Sequence, residues 1–232
     1  MKNRTALVAG ASGLIGSELL QILIKDDFYA KIYVLTRRTL DIPEDKVEQL
    51  VVDFDEFRAE ELPEVQDIYC CLGTTMRGAG SKTVFRKVDY HYPLKIAELC
   101  RKNGAEQYML VSSMGADKNS RFFYNQVKGE VEETLAAVGY PALHIFRPSI
   151  LLGDRKEKRT GEKVAQVLMK AASPLMISKL KNYRPIYAKT VAEGMLVAAR
   201  QELKGPHLFV SEQIKVLAKE YEKEAELETF HP

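Results

Sequence analysis

Thr5-Ala-Leu-Val-Ala-Gly10-Ala-Ser-Gly13-Leu-Ile-Gly16 decides the fold of this chain. An apolar run enters three glycines spaced G-x-x-G-x-x-G and continues into a segment, Leu14 to Ile24, whose apolar residues recur at helical spacing. The stretch reads as a strand, a tight turn and the start of a helix. Gly10 permits the turn, Gly13 lets the backbone approach a pyrophosphate, and Gly16 allows the helix to pack closely on the strand. The N–H groups of Leu14, Ile15 and Gly16 then face an anion at the helix N-terminus. The pattern implies a dinucleotide site.

Outward from this turn, helix and strand alternate. Lys31 to Thr36 reads as a second strand, Val47 to Val52 as a third and Asp67 to Leu72 as a fourth, which makes the chain α/β with a Rossmann-type doubly wound parallel sheet. A site for NAD places an acidic residue after the second strand to bind the ribose 2′-OH, whereas a site for NADP favours arginine there. This chain has Arg37 and Arg38. Two guanidiniums suit a 2′-phosphate, with Ser12 in the glycine turn as an extra donor, so the expected cofactor is NADP(H). Asp53 and Phe54 end the third strand, where the carboxylate is placed to accept from the adenine amino group. The fourth strand opens into Gly73 to Thr83, whose glycine-bearing loop runs from Gly73 to Gly80, with Gly73 and Thr74 expected nearest the cofactor. Ser81 separates Gly80 from Lys82, so the loop lacks the Gly-Lys-Ser/Thr run of a nucleotide triphosphate site.

Composition narrows the function. The 232 residues suffice for one substantial core, and the charge of +2 arises from nearly balanced acidic and basic populations. That balance gives no footprint for nucleic acid, and no apolar run reaches the ~20 residues of a membrane span. The first strand begins at once, leaving no room for a cleavable leader, and the odd set Cys70, Cys71 and Cys100 fits a reducing compartment, so a cytoplasmic protein is expected. Neither cysteines nor histidines show metal-ligand spacing, and no metal is expected.

Lys82 to Asn103 carries apolar residues at helical spacing with Pro93 as a kink. Tyr108 to Val111 is a strand ending in Ser112 and Ser113, and a helix follows from about Phe122 to Ala137. On it Tyr124 and Lys128 stand four residues apart and share a face. Leu143 to Leu152 reads as a sixth strand running out through Pro148. Further on, the stretch from Gly153 to Arg159 is a charged loop, Lys163 to Ala172 and Thr190 to Arg200 are helical, Leu208 to Val210 is a last strand and Glu212 to Glu228 a charged helix. Residues 153–232 are read as a small substrate-side lobe of a single domain.

Taken in order, Gly10-x-x-Gly13-x-x-Gly16, Asp53, Ser112-Ser113, Tyr124-Asn-Gln-Val-Lys128 and Arg147-Pro148-Ser149 resemble the short-chain dehydrogenase/reductase superfamily in its extended and atypical branch. Within it the chain is similar to the Tat-interacting-protein-like group. The resemblance implies a general acid/base at Tyr124, a lysine at 128 that favours phenolate and holds the nicotinamide ribose, and a serine, taken as Ser113, that orients the carbonyl. A phenol with a pKa near ~10 needs such an ammonium to exchange protons at neutral pH. Pro148, Ser149 and Ile150 are expected beside the nicotinamide on the same ground. The chain departs from the pattern in the short Ser113-to-Tyr124 spacing and in Asp89, where many extended members have asparagine. The expected function is an NADP(H)-dependent oxidoreductase of a small carbonyl or alcohol. The alternative is a weakly catalytic or non-catalytic NADP(H)-binding sensor. Oligomeric state is not readable.

Overall fold

A computed structural model describes residues 4–153 and 183–230. These form strands β1 (Arg4–Ala9), β2 (Tyr29–Thr36), β3 (Val47–Val51), β4 (Asp67–Cys70), β5 (Gln107–Val111), β6 (Ala142–Arg147), β7 (Leu151–Leu152), β8 (Ile186–Tyr187) and β9 (Gly205–Val210). The helices are α1 (Leu14–Lys25), α2 (Met76–Ala79), α3 (Lys82–Arg86), α4 (Tyr92–Lys102), α5 (Phe123–Ala137), α6 (Ala188–Arg200) and α7 (Ser211–Phe230). Seven strands make one parallel sheet in the order β3-β2-β1-β4-β5-β6-β9, while β7 and β8 pair with each other. The doubly wound reading holds.

Strand alternation divides the core between the two faces of the sheet. Ala6 and Val8 of β1, with Tyr69, Met109 and Phe146, meet Leu19 and Leu23 of α1 and Val191 and Met195 of α6. Leu7 and Ala9, with Ile68, Leu110 and Ile145, meet Ile96 of α4 and Val131 and Leu135 of α5. Each Val, Leu, Ile, Met or Phe side chain among them contributes about 1.5–3 kcal/mol on burial. At the amino edge of the sheet, Asp67 is fully buried and accepts from Arg4 at 2.6 Å, Tyr29 Oη at 2.7 Å and Gln107 at 3.0 Å. That end of the sheet is closed by this buried polar cluster around Asp67, and the carboxyl edge lies opposite it.

One expectation is corrected. Residues 188–230 are not a lobe over the sheet's carboxyl edge. Instead α6 packs on α1, and β9 joins β6 as the outer strand, with Phe209 stacked on Phe146 at 5.1 Å. The reason lies in α6, which is buried along nearly its whole length and so must lie against the main core. The charged loop beyond Gly153 and the expected helix at 163–172 lie outside the described residues. The segment from Lys82 to Asn103 is helical through Lys102 as read, and its irregularity is a π turn upstream of Pro93. Pro93 offers no N–H to the carbonyl of Asp89, and the Tyr92 N–H reaches back five residues to Lys87, so a π turn spans Lys87–His91 between α3 and α4. The loop from Gly73 to Gly80 likewise contains a short helix, α2, whose N-terminus Thr75 caps by accepting from the Gly78 N–H at 3.0 Å.

His144 on β6 couples stability to pH. Its ring is buried, Nε2 lies 3.2 Å from the Leu203 carbonyl, and burial followed by the neighbouring His207 pushes its pKa down to about 4 although the carbonyl works the other way. An unfolded histidine titrates near ~6.5, so the folded chain takes up this proton later than the unfolded one. Stability from this group is full above about pH 6.5 and is lost as pH falls toward about 4. Thermal unfolding between neutral pH and pH 4 should therefore fall less steeply in His144→Leu than in the parent; equal slopes would contradict the assignment.

Candidate active site

The strand order reverses at β1, which pairs with β2 on one side and β4 on the other. Crevices of open α/β sheets form outside the carboxyl ends of the strands at such a point. Parallel register aligns those ends, pairing Ala9 with Leu35 and Cys70, and Cys70 with Leu110. The segments after β1, β2, β4, β5 and β6 thus share one edge.

The glycine turn is shaped by contacts that exclude side chains. Gly10 has φ +86°, and a Cβ there would stand 2.7 Å from the Cys71 backbone. A Cβ on Gly16 would stand 2.2 Å from the Gly10 carbonyl oxygen. The Gly13 N–H donates to that carbonyl at 2.9 Å, and the first α-helical bond of α1 runs from Ser17 to Gly13. The N–H groups of Leu14, Ile15 and Gly16 therefore open the helix without intrahelical partners. No side chain caps α1 and no acidic residue stands in its first turn. This cradle fits a dinucleotide pyrophosphate. Gly16→Ala should push helix and turn apart and weaken binding of a nicotinamide dinucleotide at least tenfold in a fluorescence titration, and unchanged affinity would contradict the fit.

Around the cradle the sequence-derived residues fare differently. Arg37 and Arg38 follow β2, exposed, and among the described residues neither forms an ion pair; Ser12 is exposed in the turn. Asp53 is exposed and accepts the Asp55 N–H at 2.9 Å, which leaves its other oxygen for a ligand. The Phe54 ring is 4% exposed, packed at 5.8 Å from Phe57 and 5.2 Å from Tyr92, so it belongs to the core and Phe54 offers a ligand only its backbone. Pro148 is buried and its carbonyl accepts the Met114 N–H at 2.9 Å. Ser149 is tied down, its N–H donating to Ser211 Oγ at 2.8 Å and its hydroxyl to the Arg184 carbonyl. Ile150 is exposed at the rim.

The two serines after β5 are separated by their partners. Ser112 is buried and its hydroxyl donates to Glu132 on α5, which Arg147 of β6 grips through Nε at 3.0 Å and through Nη2. Ser113 Oγ is also buried but has no hydrogen-bond partner among the described residues. A buried hydroxyl without a partner is costly, and here it marks the group left for a ligand.

On α5, Gly129 lets the helix approach the chain after β5, since a Cβ there would stand 2.2 Å from the Lys118 nitrogen. That approach fixes Lys128 inside the fold. Its side chain is 4% exposed, and Nζ lies 2.7 Å from Asp89 Oδ1, on the π turn. The other Asp89 oxygen accepts the Thr74 N–H at 2.9 Å, and a Cβ on Gly73 would lie 3.8 Å from Nζ. Gly73 and Thr74 therefore flank the ion pair. Burial alone would push the Lys128 ammonium down, but the Asp89 carboxylate and then the Tyr124 phenol more than offset it, so it is held above the ordinary lysine value and stays charged. Tyr124 is half-buried, its ring 5.4 Å from Phe85 of α3. The sequence noted Asp89 only as a departure and Arg147 only as part of a motif, and gave no sign of Glu132.

With this geometry in hand, comparison with known proteins is decisive. The model of the NAD dependent epimerase/dehydratase family matches residues 6–210. The chain belongs to that family. Protein HTATIP2 of Rattus norvegicus is 42% identical over 172 residues, covering 72% of this chain and 70% of that protein. Protein fmp52, mitochondrial, of Aspergillus niger is 31% identical over 216 residues, covering 90% of this chain and 92% of that protein. Among solved structures, MoeE5 in complex with UDP-glucose and NAD superposes with a TM-score of 0.68 at 14% identity over 90% of this chain and 79% of that one, a likeness of fold. Membership makes the chain a protein of the extended short-chain dehydrogenase/reductase superfamily, a class of NAD(P)-dependent, oxidoreductase-type proteins. The expectation of a cytoplasmic protein is overturned, because several fungal relatives are named mitochondrial. Free thiols and the lack of a long apolar run do not by themselves place a protein in the cytoplasm.

Proposed function

We propose that the chain is an NADP(H)-dependent oxidoreductase acting on a small carbonyl or alcohol. The observation that carries this reading is the Ser113 hydroxyl, buried at the end of β5 without a hydrogen-bond partner among the described residues, on the same sheet edge as the buried Lys128 ammonium. The glycine cradle and the α1 N-terminus would hold the pyrophosphate, Arg37 and Arg38 the 2′-phosphate, and Asp53 the adenine. Gly73 and Thr74 would border the nicotinamide half from β4, and Pro148 and Ile150 from β6. Ser149 would shape that border through its bonds to Arg184 and Ser211 instead of touching the cofactor with its hydroxyl.

When bound, the nicotinamide supplies or accepts the hydride. Ser113 Oγ donates a hydrogen bond to the substrate oxygen and fixes its orientation. Tyr124 gives its phenolic proton to that oxygen as negative charge develops on it, and in the reverse direction its phenolate takes the proton back. Lys128 stabilises the phenolate and is within the fold's reach to hold the ribose. Ser112 would take no part in the chemistry, because its hydroxyl is engaged by Glu132, which Arg147 holds in turn.

A second reading, an NADP(H)-binding sensor with little turnover, draws support from the Asp89 carboxylate against Lys128. Oxidation of NADPH across a panel of small aldehydes and ketones separates the two. The oxidoreductase reading predicts turnover of at least one member, and tight NADPH binding with none turned over favours the sensor.

A further inference from the structure

Half-buried arginines in this fold find acceptors. Arg4 reaches Asp67 through Nε at 3.0 Å and Nη2 at 2.6 Å, and Arg147 takes Glu132 through the same two nitrogens. Arg86 lies 2.6 Å from Glu130, Arg101 donates to the Gly139 carbonyl at 3.1 Å, and Arg200 pairs with Asp26 and Glu224. Arg184, just before β8, is the exception. It is half-buried, its Nε is shut off from solvent, and that nitrogen has no hydrogen-bond partner among the described residues. A guanidinium cannot shed its proton to escape the cost, so a buried N–H of this kind marks a place for an acceptor from outside the chain.

The backbone ties Arg184 to the reaction edge. The Ser149 hydroxyl donates to the Arg184 carbonyl, the Ile150 carbonyl accepts the Ile186 N–H at 3.0 Å, and β8 then runs beside β7. One residue upstream of Ser149, the Pro148 carbonyl accepts the N–H of Met114, the neighbour of Ser113. The exit of β6 from Pro148 to Ile150 therefore joins the chain that carries Ser113 to the chain that carries Arg184. Each chain brings a buried polar atom without a partner among the described residues, the Ser113 hydroxyl and Arg184 Nε. The Ser149 N–H donates to Ser211 Oγ at 2.8 Å, which holds this exit from a third element. Glu212, the carboxylate next to Ser211, is engaged by Lys215 at 2.7 Å.

We propose that Arg184 is a specificity-determining residue that binds an anionic group of the substrate, so that the carbonyl oriented by Ser113 belongs to a compound that also carries a carboxylate or a phosphate. The proposal rests on the reading of this edge as an oxidoreductase site and names its substrate class. Nε and the adjacent Nη of an arginine present two parallel donors, the fork that Arg4 and Arg147 use on Asp67 and Glu132, and either anion offers the matching pair of oxygens. Arg184 contributes to binding and leaves the hydride to the cofactor and the proton to Tyr124.

The test is NMR of the full chain carrying isotopically labelled arginine, with Arg184→Lys assigning the Arg184 Nε–H resonance. NADPH at saturation fills the cofactor's own phosphate sites, and sodium acetate or inorganic phosphate is then titrated in at constant pH. The resonance should shift saturably with at least one anion, acetate pointing to a carboxylate substrate and phosphate to a phosphorylated one. A resonance that responds to neither overturns the proposal, and one that moves on addition of NADPH and then ignores both anions assigns Arg184 to the cofactor and overturns it as well. In turnover, Arg184→Gln should lower kcat/KM for keto acids or phosphorylated aldehydes by about ten- to a hundredfold, through KM, and leave neutral aldehydes unchanged. An equal loss for neutral and anionic carbonyls means a structural role and overturns the proposal. Should the glutamine variant not fold, the anion titration of the parent decides alone. If the resonance shifts and no carbonyl is reduced, the anion subsite stands and the oxidoreductase reading fails; if carbonyls are reduced and the resonance does not respond, the reverse holds.

Discussion

Tyr124→Phe is expected to lower turnover of an accepted carbonyl by about 10²–10⁴-fold, the scale of general acid/base assistance, while leaving NADPH affinity nearly intact. The substitution removes one oxygen and keeps the ring that packs 5.4 Å from Phe85, so the wall of the cleft is preserved. Steady-state turnover and a fluorescence titration on the same preparation separate the two effects. Lys128→Ala should damage both, because it strands the Asp89 carboxylate in the interior as well as removing the ammonium. Equal rates for Tyr124→Phe and the parent would remove Tyr124 from the mechanism.

Replacing Arg37 and Arg38 together by alanine should weaken NADPH by about 10²-fold and leave NADH nearly unchanged. Charge-assisted hydrogen bonds contribute about 1.5–3 kcal/mol each, and two of them at the lower figure amount to about 3 kcal/mol. Both side chains stand exposed at the end of β2 without an ion pair among the described residues, so they are available and their loss costs the fold little. Calorimetric titration with each cofactor checks the difference. A parent that binds NADH as tightly as NADPH would dispose of the 2′-phosphate assignment.

What could be read from the sequence was local. The glycine spacing from Gly10 to Gly16 follows from backbone contacts within one turn, and the Gly16 approach to the Gly10 carbonyl is the geometry that spacing demands. Tyr124 and Lys128 were legible for the same reason, since four residues on a helix always share a face. The misses are all long-range. Nothing near Ser112 in sequence announces that Glu132, twenty residues on, takes its hydroxyl, and Ser113 emerges as the free one only because of that bond. Asp89 meets Lys128 across thirty-nine positions, through a π turn whose only sequence trace is Pro93. Leu208 to Val210 carried a strand signal, but which sheet it joined depended on the burial of α6 against α1. Phe54 sat at the right strand end for a ligand, yet the aromatic cluster with Phe57 and Tyr92 claimed its ring. Reading an end of a strand locates a residue at the edge of a sheet but not the direction of its side chain.

The most direct test of hydride transfer through this site uses NADPH deuterated at the transferable position. The full chain is incubated with the carbonyl panel and the alcohols are analysed by mass spectrometry. The account predicts deuterium in at least one product with the parent, and at least tenfold less with Tyr124→Phe at equal NADPH occupancy. Saturating NADPH binding with no deuterium in any product would contradict it.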